Sequence, residues 1–141
     1  MERAAAFCAP CERAIPRLPP GGCAICQALL GAPGERCGAC ARERWPLARV
    51  AAEAPFEGEV AQWVRRFKYP PPGFAGLDPG PGAALAALLH GAARRLDGEP
   101  PVLVVPVPIH PGRRRARGFH PAGELAQALA RRIGARCDAR A

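Results

Sequence analysis

Lysine is almost absent from this sequence: Lys68 stands alone among 20 basic residues, and the other 19 are arginine. Aromatic residues are also scarce, at 6%, which excludes a long stacking surface and leaves an apolar content of 49% carried mostly by alanine. No run reaches the roughly 18 apolar residues that a membrane span requires, so no membrane insertion is expected. Residues 1–10 contain no apolar stretch behind a basic start, so no secretory signal is read there. A cytoplasmic setting is therefore expected, where paired cysteines bind metal or do redox work more often than they form structural disulfides. The chain also has no GxxxxGK[ST] phosphate loop and no Ser/His/Asp or Cys/His constellation.

Proline and glycine are plentiful, at 18 and 16 residues, which implies short elements joined by stiff connectors. The net charge of +8 is uneven. Residues 101–141 carry eight basic and two acidic groups, with Arg113, Arg114, Arg115 and Arg117 at the centre of the excess. Such a concentration points to an anionic partner, either a phosphorylated ligand or a nucleic-acid backbone. The bland alternative is a solvated charge run.

Six of the seven cysteines fall in residues 1–50 as three pairs: Cys8-x-x-Cys11, Cys23-x-x-Cys26 and Cys37-x-x-Cys40. Two CxxC turns ten residues apart can close a tetrahedral set of thiolates, the usual structural zinc geometry. Soft sulfur ligands favour zinc over magnesium or calcium. Six ligands do not divide into fours, so two pairings are open. Cys23, Cys26, Cys37 and Cys40 is the favoured set, with Cys8 and Cys11 spare or in a second site. Cys8 and Cys11 with Cys23 and Cys26 is the other. Gly38 is expected to relieve crowding in the third turn. A disulfide or inert thiols is the bland reading, and a thioredoxin-like role is disfavoured because that motif sits at a βα junction. Cys137 reads as a small apolar residue.

Downstream, Val60, Trp63, Val64 and Phe67 mark one face of a helix, ended by Pro70-Pro71-Pro72-Gly73. Residues 73–82 read as loop. A second helix is expected over Ala83–Leu96, closed by Gly98 and Pro100-Pro101. Val102–Val107 is a Val-rich apolar run expected to form a strand buried on both faces, as in a parallel sheet, and to end near Pro106, which has no N–H for a ladder. A third helix is expected from Pro121 to Ile133, with Gly134 as its stop. Arg136 onward has room for a second strand. Between strand and last helix lies an arginine loop, at the carboxyl end of the strand where open α/β sheets bind ligands. Arginine forks suit phosphate oxygens there. His110 and His120 read as hydrogen-bonding spacers. Trp63 and Phe67 read as core.

The three CxxC pairs, Phe67-Lys68-Tyr69, the run Val104-Val105-Pro106-Val107-Pro108-Ile109-His110-Pro111 and Arg117-Gly118-Phe119-His120, in this order, resemble the ComF family. These are competence-associated proteins related to type I phosphoribosyltransferases, often with an N-terminal double zinc ribbon. The resemblance implies an α/β fold with two parts: a cysteine-rich double zinc ribbon over residues 1–50, and the front half of a type I phosphoribosyltransferase-like domain over 55–141. It further implies that residues 108–118 receive the pyrophosphate of phosphoribosyl pyrophosphate, with Arg113, Arg117 and Gly118 as contacts and Lys68 nearby. Magnesium would accompany that ligand in a complete domain. Single-stranded DNA and proteins of the competence machinery are implied partners. The family's RGFNQ reads Arg117-Gly118-Phe119-His120-Pro121 here. The acidic, Thr/Gly-rich substrate loop of such enzymes is missing from the sequence. A C-terminally truncated member, inactive as a transferase alone, is thus expected. Two competing readings are a nucleic-acid-binding module built on the ribbon and the arginines, and a zinc-stabilised interaction domain with no ligand of its own.

Overall fold

The computed structural model describes residues 7–19, 21–28, 36–44, 46–71, 80–96 and 101–139, with the side chains of residues 9, 11 and 12 outside that description. Among the described residues, six helices and two short strands occur in the order α1 (Ala9–Ala14), α2 (Gly38–Arg42), α3 (Gly58–Lys68), α4 (Pro81–Ala93), β1 (Leu103–Val104), α5 (Pro111–Arg117), α6 (Pro121–Ile133) and β2 (Arg136–Cys137). Mixed α/β character is therefore present, but helices dominate and the strands do not make up a phosphoribosyltransferase-like sheet among the described residues.

The expected face of α3 is the buried one. Val60 and Phe67 are buried and Trp63 and Val64 pack beside them. Glu59 lies in its first turn and Arg65, Arg66 and Lys68 in its last, the charge order that suits the helix dipole. α4 begins at Pro81, where a missing N–H costs nothing. It ends earlier than expected. Arg95 and Leu96 donate to the carbonyls of Ala92 and Ala93, a tighter turn that leaves Leu96 exposed. α6 spans the residues expected of it, and Gly134 ends it at φ 72. The loop expected over residues 73–82 falls mainly outside the described residues, as do Pro72, Gly98 and Pro100.

The core consists of two clusters that share Trp63. Ile15, Val60 and Leu88 form one, with Phe7, Ala54 and Trp63 against it. Phe67, Leu85 and Phe119 form the other, with Trp63, Val64 and Leu125. Phe7 stacks on Trp63 at 5.4 Å between centroids, and Phe67 meets Phe119 edge-on at 5.8 Å. Phe7 and Ile15 flank α1 on either side, so the residues bordering it pack against Val60 and Trp63 of α3 and Leu88 of α4.

β1 and β2 pair in parallel, with Leu103 opposite Arg136 and Val104 opposite Cys137. α5 and α6 make the crossover between them. The strand differs from expectation in two respects. It is two residues long, Leu103–Val104, and stops short of Pro106, where the missing N–H is expected to end it. It is also not buried on both faces. Burial alternates: Val104 is half-buried and Pro106 buried, whereas Leu103, Val105 and Val107 are exposed. α6 packs on one face, and among the described residues nothing covers the other.

Candidate metal centre and the arginine helix

The second CxxC pair sits on a turn tightened by two backbone bonds. The Cys23 N–H donates to the Ala28 carbonyl at 2.8 Å, and the Gln27 N–H to the Cys23 carbonyl at 2.9 Å. This wraps the chain so closely that a Cβ on Gly22 would lie 2.7 Å from the Gln27 carbonyl oxygen. The same turn holds Gln27 at φ 60, the only left-handed non-glycine residue among those described. The third pair opens α2. Cys37 is its N-cap, and its thiol accepts from the Cys40 N–H at 3.5 Å. Gly38 has a plain role: a Cβ there would meet nothing nearer than 3.9 Å, so it relieves no crowding.

The two turns meet sulfur to sulfur. The Cys37 N–H donates to Cys23 Sγ at 3.3 Å, and Cys26 Sγ lies 3.7 Å from Cys37 Sγ. All four sulfurs of Cys23, Cys26, Cys37 and Cys40 lie within 4.8 Å of one another. A tetrahedron with zinc–sulfur bonds of about 2.3 Å has sulfur–sulfur edges of about 3.8 Å, so little contraction is needed to close around an ion. The Val50 N–H, bonded to the Ile25 carbonyl at 2.8 Å, returns the chain to the first turn.

Electrostatics divide the four thiols. The Cys23 thiol is lowered to about 6, chiefly because the Cys26 and Cys37 N–H groups donate to its sulfur. Cys37 is lowered by the N–H of Cys40. Cys40 is pushed up, first by burial and then by the neighbouring cysteine side chains. Backbone donors thus favour thiolates on two members, while the fourth resists a further negative charge. A dication at the centre removes that conflict. Four soft donors at this spacing, two of them fully buried, are positioned to hold a metal ion. Cys8 is exposed at the start of α1 and outside the four-sulfur cluster, and the Cys11 side chain lies outside the described residues.

The basic segment differs from the expected loop. Residues 111–117 form a helix, α5, because three local signals agree. His110 caps it, its Nδ1 accepting from the Gly112 N–H at 3.1 Å. Pro111 fits the first turn, and Gly118 ends it at φ 78 with its N–H on the Arg114 carbonyl. Gly118 therefore has a purely local need for glycine. Arg113, Arg114 and Arg115 are exposed. Arg117 turns back instead. It donates to the Tyr69 hydroxyl at 3.0 Å, and its guanidinium lies 4.8 Å from the Tyr69 ring centroid. The structure thus brings Arg117 to the residue after Lys68, which is itself exposed at the end of α3, and leaves Arg113 apart from that contact. His120 bonds the Val107 carbonyl at 3.1 Å, the spacer role expected of it.

Sequence reasoning missed Glu53, which accepts from Arg17 and Arg95, and passed over Tyr69. The partners of Glu53 lie 36 and 42 residues away, so no local pattern marks it. Tyr69 carried a signal, a lone tyrosine beside the lone lysine. No helix among the described residues is long and apolar enough to cross a membrane. Compared with protein-family models, with curated proteins and with solved structures, the chain finds no match in any of the three.

Proposed function

We propose that this is a zinc-stabilised, ComF-like protein of the phosphoribosyltransferase type, which in full-length form binds phosphoribosyl pyrophosphate with magnesium and serves DNA uptake in the cytoplasm. The observation that carries the reading is the placement of α5. The arginine helix begins at Pro111, beyond the carboxyl end of β1 at Val104, within a parallel strand–helix–helix–strand unit, the end at which such folds take their ligands. Arg117 bonds the Tyr69 hydroxyl at 3.0 Å, which brings it to the residue that follows Lys68 at the end of α3. The zinc held by Cys23, Cys26, Cys37 and Cys40 would fix the fold of residues 21–50 and take no part in ligand chemistry. Calorimetric titration of the full-length protein with phosphoribosyl pyrophosphate and magnesium is the test. One site per chain is expected, weakened at least tenfold by Arg113→Ala or Arg117→Ala. No saturable binding would remove this reading.

A second reading, a single-stranded nucleic-acid module, has its own observation. Tyr69 and Phe56 are each about two thirds exposed, at 67% and 64%, and each has an arginine over its ring, Arg117 and Arg65. Exposed rings with adjacent cations stack on bases. This reading requires oligonucleotide binding that falls steeply with salt and is lost in Tyr69→Ala.

A further inference from the structure

An apolar groove of about 320 Å³ runs between α3, α4, α6 and the connecting residues 51–54. Val64, Leu85, Leu89 and Leu125 form much of its wall. Its two ends carry opposite charges. Glu53 lines one end, near the carboxyl terminus of α4, where Arg95 holds its Oε2 at 2.7 Å and Arg17 its other oxygen. Lys68 lines the other, at the last turn of α3, where Phe67 meets Phe119 just ahead of α6. The carboxylate is already neutralised by two arginines. Among the described residues no carboxylate pairs with Lys68.

We propose that this groove is a binding site for a small amphipathic anion, a medium-chain carboxylate whose tail lies along α3 and α4 and whose head meets Lys68. Three features converge on that class. The volume and the apolar lining with few polar groups are those of small-molecule sites. From Val60 to Lys68 the helix rises about 12 Å, which sets the length of the tail. Among the described residues that line the groove, the unneutralised charge is positive, which selects an anionic head. An aliphatic chain on this wall gains from apolar burial, and the ammonium adds a charge-assisted contact at its end. The site is separate from the metal cluster; it shares Lys68 with the phosphate reading but rests on the groove and its lining, not on that reading.

The test is calorimetric titration of the full-length, zinc-loaded protein with decanoate and, separately, with decanol. Saturable decanoate binding is expected, at least fivefold tighter than decanol. Lys68→Gln is expected to erase that preference and leave decanol binding unchanged, since Lys68 is exposed and its loss disturbs no packing. Ala122→Phe, which fills the groove from α6, is expected to abolish both, with zinc content and melting temperature showing that the variant folds. Absence of decanoate binding, equal binding of acid and alcohol, or a preference that survives Lys68→Gln would each overturn the proposal.

Discussion

Arg95 donates through Nε to Glu53 Oε2 at 2.7 Å, and the same arginine reaches the Leu18 carbonyl at 3.1 Å. The bond joins the end of α4 to the connecting segment, and through Leu18 to the residues that follow α1. Arg17 holds the other carboxylate oxygen, and the Leu18 N–H bonds the Glu53 carbonyl at 3.1 Å. The carboxylate rests on Gly91, where a Cβ would lie 2.9 Å from its carbon. Glu53→Gln is therefore expected to destabilise the chain by about 1 kcal/mol, since it removes the charged partner of the part-buried Arg95, while the exposed Arg17 loses little to solvent screening. Gly91→Ala is expected to destabilise it as well, by pushing the carboxylate off its partners. Urea unfolding of the zinc-loaded protein measures both.

Gln27 offers a change of opposite sign. A non-glycine residue in the left-handed region costs about 1 kcal/mol, and Gln27 is held there at φ 60. Gln27→Gly is expected to raise stability by up to about 1 kcal/mol, because the turn of Cys23 and Cys26 is then free of that strain. Gly22→Ala is expected to lower zinc affinity, since its Cβ would sit 2.7 Å from the Gln27 carbonyl. Competition with a chromophoric chelator reads the affinity change.

The thiol shifts set the proton count of metal binding. Cys23 titrates near 6 instead of the ordinary 9.0, so it is ionised at about pH 7.5 before any ion arrives. Cys37 is shifted the same way and Cys40 the opposite way. Zinc binding to all four thiolates should then release fewer than four protons, with Cys40 supplying one of them. In the metal-free chain the depressed Cys23 contributes stability that is complete above 9 and lost as pH falls through about 6. The raised Cys40 acts in reverse: its contribution is complete below its ordinary value and lost as pH rises beyond it. Calorimetry in buffers of different ionisation enthalpy counts the protons. A release of four would show that the backbone donors do not favour the Cys23 thiolate.

The helices were readable in the sequence because their signals are local. The spacing of Val60, Trp63, Val64 and Phe67 and the Pro121…Gly134 frame each lie within a single helix and its caps. The gathering of Cys23, Cys26, Cys37 and Cys40 was readable for the same reason, two short turns at a workable separation. α5 was not, because four arginines obscured its caps, His110 and Gly118. Glu53 was not, because a carboxylate's distant partners leave no mark on its neighbours. The strand was misjudged for a third reason. A continuous apolar run describes what could be covered on both faces, and only packing determines what is.

That last point can be tested residue by residue along 102–107. Val104 faces inward toward α6, whereas Val107 is 77% exposed. A charge at the inward position must be desolvated against the helix. Val104→Lys is expected to cost about 2–4 kcal/mol. Val107→Lys, on the uncovered side, is expected to change stability by less than about 0.5 kcal/mol, the range of ordinary surface substitutions. Urea midpoints of the two variants, compared at equal zinc loading, decide it. Equal and large losses would mean that the outward face is covered in the protein in solution. Equal and small ones would mean that β1 is not anchored on α6 at all.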